Sequence, residues 1–331
     1  MKKINLAVVG ATGMVGRTLL KVLEERNFPY ENLYLFASAK STGEKLFCKD
    51  IEYTVEELTD TSFDRDIDIA LFSAGGSISK KFAPIAISKG TIVIDNSSEW
   101  RMEKNVPLIV PEVNPEDIDW HSGIIANPNC STIQAVVAMK PLHDAFKIKR
   151  IIYSTYQAVS GTGVKGVLDL EAGIKGNDTM LAYPHPIANN CLPHIDVFLE
   201  NGYTKEEMKM IEETKRILND LGLKVTATTV RVPVRDSHSE SINIEFEKPF
   251  EMTEVKDILS KAPSVVVQDD LTSNLYPLAR NAAGTDDVYV GRIRRDYSID
   301  NGLNIWVVAD NIRKGAATNA VQIAELLVPT I

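Results

Sequence analysis

The sequence predicts an α/β protein of two domains, one built on a doubly wound parallel sheet and the other an α+β domain with a mixed sheet. The chain has 331 residues, which is longer than most domains that fold around a single hydrophobic core. Strand and helix patterns alternate over the first 130 residues, and longer, more amphipathic strand patterns follow from Ile151 onward. We therefore expect one domain from 1–129 with 312–331 and a second from 130–311.

The pattern of the first domain is that of a sheet covered on both faces. Ile4–Val9 is a continuous apolar run, as expected of a buried parallel strand, and Met14–Arg26 has helical spacing. The remaining predicted strands are Leu33–Ala37, Ile67–Ser73, Thr91–Asp95 and Ile124–Ala126. Helical or turn-rich segments, including Lys80–Lys89, separate them, and the resulting order is typical of a doubly wound fold.

The strands predicted for the second domain are of a different kind. Its predicted strands are Ile151–Ala158, Val225–Pro233, Ser241–Glu247, Gly291–Arg295 and Ile305–Asp310. Thr204 and Glu207 form a capping box that predicts a helix over Thr204–Asp220. Ala316–Leu327 predicts a final helix, whereas Glu171–Asn190 predicts no element.

Composition and charge exclude several classes of protein. The net charge is −9, so neither nucleic acid nor an anionic membrane is expected as the main partner. The apolar run Ile4–Val9 is too short for a signal peptide or a membrane helix. The three cysteines are distant from each other and odd in number, which argues against a disulfide framework or a bound metal and favours a reducing cytoplasm.

A glycine-rich loop joins the first predicted strand to the first helix. Its sequence, Gly10-Ala-Thr-Gly13-Met-Val-Gly16, permits a tight turn and leaves helix N-terminal N–H groups for a phosphate. The alternative is a purely structural glycine turn. The strand–loop–helix context favours a Rossmann-type dinucleotide site, with the following predicted contacts: Gly10, Thr12, Gly13, Met14 and Val15.

The end of the second strand predicts which dinucleotide binds. An NAD site usually carries an acidic residue there, but this chain has Ser38, Lys40 and Ser41 instead. Hydroxyl groups around a cation suit the 2′-phosphate of NADP, and the alternative is a solvated polar loop. Lys40 would bind a 2′-phosphate through a single ammonium group, because lysine lacks the bidentate fork of arginine.

Cys130 is the candidate nucleophile. It lies in Asn127-Pro-Asn-Cys-Ser-Thr132, where a strand pattern meets the apolar helical run Ile133–Met139, and a helix N-terminus favours thiolate. A lone cysteine is more often a small buried hydrophobic residue. Cys48 is expected in an exposed polar segment without a base, and Cys191 is expected to be buried.

Five motifs in order resemble the aspartate-semialdehyde dehydrogenase family over nearly the whole chain. They are Gly10–Gly16, Asn127–Thr132, Tyr156–Gly163, Arg231–His238 and Asp310–Gly315. The resemblance implies NADP-dependent reduction of 4-aspartyl phosphate to aspartate semialdehyde through a cysteine thioester, with release of phosphate. It also implies a place in lysine, diaminopimelate, methionine and threonine biosynthesis, and a homodimer or homotetramer.

The same resemblance assigns roles to single residues. Cys130 is the nucleophile, Gln157 binds the acyl group, and His238 acts as acid and base. Imidazole suits this role because it titrates nearest to neutral pH. Ser160, Gly161 and Asn311 match cofactor contacts, and the position of Asn311 implies that the last helix packs on the first domain.

Substrate groups are assigned in the same way. Arg231 matches the arginine that binds the α-carboxylate, Glu206 the group that binds the ammonium, and Lys209 and Arg101 the two phosphate-binding cations. Glu206 and Lys209 lie three residues apart in one helical turn, so a solvated ion pair is the alternative.

Two rival functions stay open at this point. One is the reduction of another acyl phosphate, such as acetylglutamyl phosphate, whose acylated amine would not suit Glu206. The other is a non-catalytic NADP-binding protein or sensor, which would need none of Cys130, Gln157, Arg231 and His238.

Overall fold

The computed structural model of the protein describes residues 4–328. The chain forms two compact units, one from the residues up to Asn129 with those from Ala316 onward, and one from Cys130–Gly315. The chain returns to the first unit at Ala316, four residues beyond the expected boundary at 312. The reason is a turn in which Gly315 donates its N–H to the Asp310 carbonyl at 3.0 Å, while the Asp310 carboxylate accepts the N–H of Gly284 at 2.7 Å. These contacts bind the turn to the second unit.

The first unit contains eight strands and three helices among the described residues. Their bounds are β1 Ile4–Val9, α1 Met14–Glu25, β2 Tyr30–Ala37, β3 Lys45–Cys48, β4 Ile51–Thr54, β5 Glu56–Glu57, β6 Ile69–Phe72, α2 Gly76–Ser88, β7 Ile92–Asp95, β8 Ile124–Ala126 and α8 Thr318–Leu327. Six of the strands form a parallel sheet in the order β5-β2-β1-β6-β7-β8. This is the strand order of a Rossmann-type domain.

The last helix belongs to the core of this first unit. Ala320, Val321 and Ala324 of α8 are fully buried in the same apolar cluster as β1 and α1. Arg26 at the end of α1 binds both carboxylate oxygens of Glu325, at 2.8 and 2.6 Å. The predicted return of the C-terminal helix to the first domain is therefore observed.

The second unit is an α+β structure with a mixed sheet. Its elements are α3 Cys130–Phe146, β9 Ile148–Gln157, α4 Val164–Ile174, α5 Lys205–Ile217, β10 Lys224–Arg231, β11 His238–Phe246, α6 Met252–Lys261, β12 Val265–Val267, α7 Ala279–Ala282, β13 Val288–Asp296 and β14 Gly302–Ala309. The sheet order is β10-β9-β11-β14-β13-β12, with antiparallel pairs in the middle and a parallel pair at each end. Helix α3 crosses this sheet, and α5 and α6 flank it.

Two expectations about cysteines were wrong. Cys48 is buried, because the β3–β4 hairpin packs on α1 and the Cys48 thiol donates to the Leu20 carbonyl at 3.4 Å. Cys191 is exposed, because it lies in an irregular segment before Leu192.

Within residues 4–328, no helix is long and apolar enough to cross a membrane. The same residues contain no group of three or more histidine, cysteine or acidic side chains arranged to hold a metal ion.

Candidate active site

The glycine loop of the first unit is shaped by backbone contacts that exclude side chains. Gly10 has φ +85°, and a Cβ on it would lie 2.8 Å from the Ser73 carbonyl oxygen. A Cβ on Gly16 would lie 2.2 Å from the Gly10 carbonyl oxygen. Helix α1 begins after Gly13, which caps it without a side-chain hydrogen bond. The N-cap residue therefore leaves the first-turn N–H groups of α1 without a side-chain acceptor, and such N–H groups can bind a phosphate.

The loop after β2 lies beside this glycine loop. The Thr12 hydroxyl donates to the Ser41 hydroxyl at 3.2 Å, and Lys40 is exposed in a short 3₁₀ turn over Ala39–Ser41. The residues predicted to bind a 2′-phosphate are thus adjacent to those predicted to bind the pyrophosphate.

Arg101 lies at the carboxyl end of the parallel sheet and is buried. Its Nε donates to the Asn127 carbonyl at 2.9 Å and one Nη donates to the Asn96 carbonyl at 2.8 Å. Asn96 follows β7 and Asn127 follows β8, so the guanidinium is fixed where ligands bind in this class of fold. The Asn127 side chain is itself held by Asn96 and Asn319, at 2.7 Å each.

Cys130 is the first residue of α3 and is partly exposed. The turn that ends at Gly315 approaches it closely, since a Cβ on Gly315 would lie 2.8 Å from the Cys130 Cβ. The first-turn amides of α3 favour a thiolate at this position. Sequence reasoning had included Gly315 in a motif but had given it no role.

His238 begins β11 and is fully buried. Its Nδ1 accepts the backbone N–H of Ala158 at 3.0 Å, and its Nε2 has no hydrogen-bond partner among the described residues. Burial and then the positive charge of Arg231 lower the pKa of His238 to about 3, so the imidazole is neutral. A neutral imidazole that accepts at Nδ1 carries its proton on Nε2.

A glutamine connects the cysteine helix to the histidine strand. Gln134, one turn after Cys130 in α3, donates from Nε2 to the His238 carbonyl at 3.3 Å. Gln134 is fully buried. Its contact fixes the start of β11 relative to the start of α3.

Arg231 and Gly161 lie against the same imidazole. A Cβ on Gly161 would lie 3.1 Å from an Arg231 Nη and 3.3 Å from the His238 Cε1. Arg231 is buried, donates to the Ala158 carbonyl at 2.6 Å, and has an Nε without a hydrogen-bond partner among the described residues. A buried, unsatisfied guanidinium N–H is suited to an anionic ligand.

Gln157, Glu206 and Lys209 form one connected group. The Gln157 amide donates to Glu206 at 3.1 Å, and its carbonyl accepts the Thr155 hydroxyl at 3.0 Å. Lys209 Nζ lies 3.0 Å from Glu206 and 2.9 Å from Asp196. The capping box of α5 is present as predicted, but the Glu206–Lys209 pair is largely buried, so the alternative of a solvated pair was wrong.

Ser160 and Asn311, two of the predicted cofactor contacts, are hydrogen-bonded to each other. The Asn311 amide donates to the Ser160 hydroxyl at 3.0 Å, and its carbonyl accepts the Ser237 N–H at 2.9 Å. All three residues are buried. The Asn311 side chain thus links the Ser160 hydroxyl, next to Gly161, to the backbone at Ser237.

Glu240 and Asp196 were missed at the sequence level. Glu240 lies two residues after His238 on the same face of β11, is fully buried, and has neither carboxylate oxygen hydrogen-bonded among the described residues. Burial and then the charge of Glu206 raise the pKa of Glu240 well above its ordinary value. The alternation His238, Glu240, Ile242, Ile244 could have located it, whereas no sequence signal marks Asp196.

Family models match most of the chain. One, described as semialdehyde dehydrogenase, NAD binding domain, matches residues 5–121, and another, described as semialdehyde dehydrogenase, dimerisation domain, matches residues 139–314.

Full-length relatives agree with this match. The chain is 58% identical to an aspartate-semialdehyde dehydrogenase from Aquifex aeolicus, over 98% of both sequences. A crystal structure of aspartate semialdehyde dehydrogenase II from Vibrio cholerae, complexed with ASA, superposes with a TM-score of 0.96 at 46% identity over 99% of both chains. An aspartate semialdehyde dehydrogenase with NADP from Candida albicans has a TM-score of 0.79 at 27% identity over 98% of both chains.

Proposed function

Because the chain belongs to the aspartate-semialdehyde dehydrogenase family, we propose that it reduces L-4-aspartyl phosphate to L-aspartate 4-semialdehyde through a thioester on Cys130. The observation that carries the proposal is the position of Cys130 at the first turn of α3, in the same unit as the neutral imidazole of His238 and the unsatisfied Arg231. These are the groups that acyl transfer from an amino-acid acyl phosphate needs.

The cofactor of the proposed reaction is NADP. Gly10, Thr12, Gly13, Met14 and Val15 would hold its pyrophosphate, and Ser38, Lys40 and Ser41 its 2′-phosphate. The absence of an acidic residue after β2 supports NADP over NAD, and the close backbone packing at Gly10 and Gly16 supports a dinucleotide in this loop. Ser160, Gly161 and Asn311 are the proposed contacts from the second unit. When bound, NADPH supplies the hydride that reduces the acyl group.

The Cys130 thiolate attacks the acyl carbonyl of aspartyl phosphate. A C–S bond forms, the C–O bond to the phosphate breaks, and inorganic phosphate leaves with the electron pair. Arg101 and Lys209 are the cations that neutralise the phosphate. After reduction, the C–S bond breaks, the semialdehyde is released, and the thiolate is restored for the next turnover.

His238 acts in both tetrahedral stages as a hydrogen-bond donor. Its Nδ1 is occupied by the Ala158 N–H, so Nε2 carries the proton in the neutral imidazole. The depressed pKa keeps the imidazole neutral at physiological pH. Donation from Nε2 to the developing oxyanion stabilises charge that is absent from the planar substrate, which is the condition for catalysis rather than tighter substrate binding.

Recognition of the amino-acid portion rests on opposite charges. Arg231 pairs with the α-carboxylate, Glu206 with the ammonium, and Gln157 binds beside the acyl group. The hydrogen bond from Gln157 to Glu206 supports a common binding surface for these two groups. The rival substrate acetylglutamyl phosphate has no ammonium for Glu206, and a non-catalytic sensor would not require a thiol at a helix N-terminus.

We place the reaction in the biosynthesis of lysine, diaminopimelate, methionine and threonine, and the protein in the cytoplasm. The number and spacing of the cysteines, three and far apart in the sequence, support that compartment. The match of residues 139–314 to a dimerisation domain supports a homodimer, from which a homotetramer could be built.

A phosphate-dependence assay tests the function. In the reverse direction, the protein with aspartate semialdehyde and NADP should turn over continuously only when inorganic phosphate is added. Without phosphate, each Cys130 should form one thioester and one NADPH and then stop. Equal rates without phosphate would mean that water releases the acyl group, and the roles of Arg101 and Lys209 would be wrong. The thioester is tested separately, by mass spectrometry of the protein quenched without phosphate.

A further inference from the structure

Lys209 lies between two carboxylates. Its Nζ is 2.9 Å from Oδ2 of Asp196 and 3.0 Å from Oε2 of Glu206, and only 19% of its side chain is exposed. One positive charge is therefore matched by two negative charges in the ligand-free protein. A phosphate that approached Lys209 in this arrangement would meet a net negative group.

The two carboxylates differ in how easily they can move away from Lys209. Glu206 lies on α5, its side chain is 6% exposed, and it also accepts a hydrogen bond from Gln157 at 3.1 Å. Asp196 lies in an irregular segment, and 32% of its side chain is exposed. Rotation of its side chain would carry its charge into water, whereas Glu206 has no comparable path.

The backbone of Asp196 is held in one conformation, which sets the position from which its side chain would rotate. Asp196 has φ +69°, a left-handed conformation that only asparagine and aspartate adopt with some ease besides glycine. Its Oδ1 accepts the Val197 N–H at 2.9 Å. The segment that follows is tied to the start of α5 by a bridge between Phe198 and Thr204. The chain thus presents the Asp196 carboxylate to Lys209 from a fixed backbone.

We propose that Asp196 is a positioning residue that occupies Lys209 while the phosphate site is empty and releases it when the phosphate group of the substrate binds. The inference rests on the proposed role of Lys209 in phosphate binding. It predicts that phosphate competes with the Asp196 carboxylate for Lys209. Asp196 therefore holds Lys209 in place but weakens the binding of phosphate.

The test is the Asp196→Asn variant in the reverse reaction, with inorganic phosphate as the varied substrate. Asparagine tolerates the left-handed backbone and keeps the size of the side chain, but it removes the charge. The KM for phosphate should fall about fivefold, the effect expected of losing one partly exposed ion pair, while kcat and the KM for the semialdehyde stay unchanged.

Asp144→Asn is the matched control. Asp144 pairs with Lys140 at 2.6 Å on α3, and its loss changes the net charge by the same amount. It lies 14 residues after Cys130, about 21 Å along the helix. The KM for phosphate should not change in this variant.

Two results would overturn the inference. A KM for phosphate that is unchanged in Asp196→Asn would show that the carboxylate does not compete, and a raised KM would show that Asp196 orients Lys209 for phosphate. Lys209→Met separates these results from a failure of the proposed function. If phosphate dependence is present in the wild type and lost in Lys209→Met, the proposed function stands and only the inference about Asp196 fails.

Discussion

The backbone N–H of Ala158 donates to Nδ1 of His238 across 3.0 Å, and both residues are fully buried. This single contact fixes the tautomer of the imidazole, because a nitrogen that accepts from an amide cannot also carry a proton. The role of acid and base, expected of His238 from the sequence, stays a prediction. The contact adds that the neutral imidazole carries its proton on Nε2 and can donate there.

Replacing His238 with alanine should lower kcat by about 10²–10³-fold, the usual effect of removing one oxyanion donor. His238→Gln should recover part of this loss, because its amide retains an N–H donor. Steady-state rates with saturating substrates measure both effects. A glutamine variant as poor as the alanine variant, with NADP binding intact, would argue for proton transfer rather than donation.

The depressed pKa of His238 also predicts acid sensitivity. In the unfolded chain the imidazole titrates near pH 6.5, and in the folded protein at about 3. Its contribution to stability is therefore complete above pH 6.5 and is lost as the pH falls toward 3, by at most about 1.4 kcal/mol per pH unit. Urea unfolding at pH 7 and pH 5 should show a smaller loss for His238→Gln than for wild type. An identical loss would contradict the assignment.

Glu240 predicts the opposite dependence of folding stability on pH. Its raised pKa means that the folded protein keeps a proton which the unfolded chain releases above about pH 4.3, so stability falls as pH rises toward the folded pKa. Glu240→Gln should remove this loss, with a gain in unfolding free energy that is larger at pH 7 than at pH 5. The exposed Glu247→Gln is the control. A gain independent of pH would mean that Glu240 is ionised in the fold.

Cys130→Ser should bind NADP normally and lose about three orders of magnitude or more in kcat, because an alcohol is a poor nucleophile at neutral pH. Cys191→Ser is the natural control, since that thiol is also accessible. Quenching the reaction and mapping the acyl group by mass spectrometry identifies the nucleophile. An acyl group on Cys191 would reject the proposed mechanism.

Lys40→Glu should weaken NADP much more than NAD, because a carboxylate beside Ser38 and Ser41 would repel the 2′-phosphate. Fluorescence titration of the two reduced cofactors gives the ratio of the dissociation constants. Equal weakening of both would place the 2′-phosphate away from this loop.

The parts of the fold that the sequence predicted well are those set by local or strictly periodic signals. Ile4–Val9 and Ile124–Ala126 were predicted with the bounds observed, because strands buried on both faces are continuous apolar runs. The Thr204–Glu207 capping box likewise marks the start of α5. Both signals are contained within a few neighbouring residues.

Other features depend on contacts between distant residues. The segment after α4 had no predicted structure, and it is organised by Asp169, which accepts the Thr179 hydroxyl at 2.6 Å and the N–H groups of Leu181 and Ala182 at 2.9 and 2.8 Å. No periodicity within that segment encodes these bonds. The hairpin β3–β4 was missed for a related reason. Its apolar residues do not mark its buried face, because Phe47 and Ile51 are exposed whereas Leu46 and Cys48 are buried.

The same distinction applies to the candidate site. The spacing of Glu206 and Lys209 correctly predicted that they share a helical face, but only the fold brings Asp196 to the lysine and Gln157 to the glutamate. The inward position of Glu240 was readable from strand alternation. Its lack of a partner was not, because this depends on every element packed around it.

The two places where the chain passes from one unit to the other are useful for protein engineering. Cys130 and Gly315 are the first and last residues of the second unit and lie in contact, while Asn127 donates to the Ala316 carbonyl at 3.3 Å within the first. Each unit therefore begins and ends at nearly the same place, as inserted domains commonly do. A short linker from Asn129 to Ala316 would close the nucleotide-binding unit as a separate protein, and 130–315 could be exchanged as one cassette between relatives to transfer substrate choice without altering the strand order of the recipient.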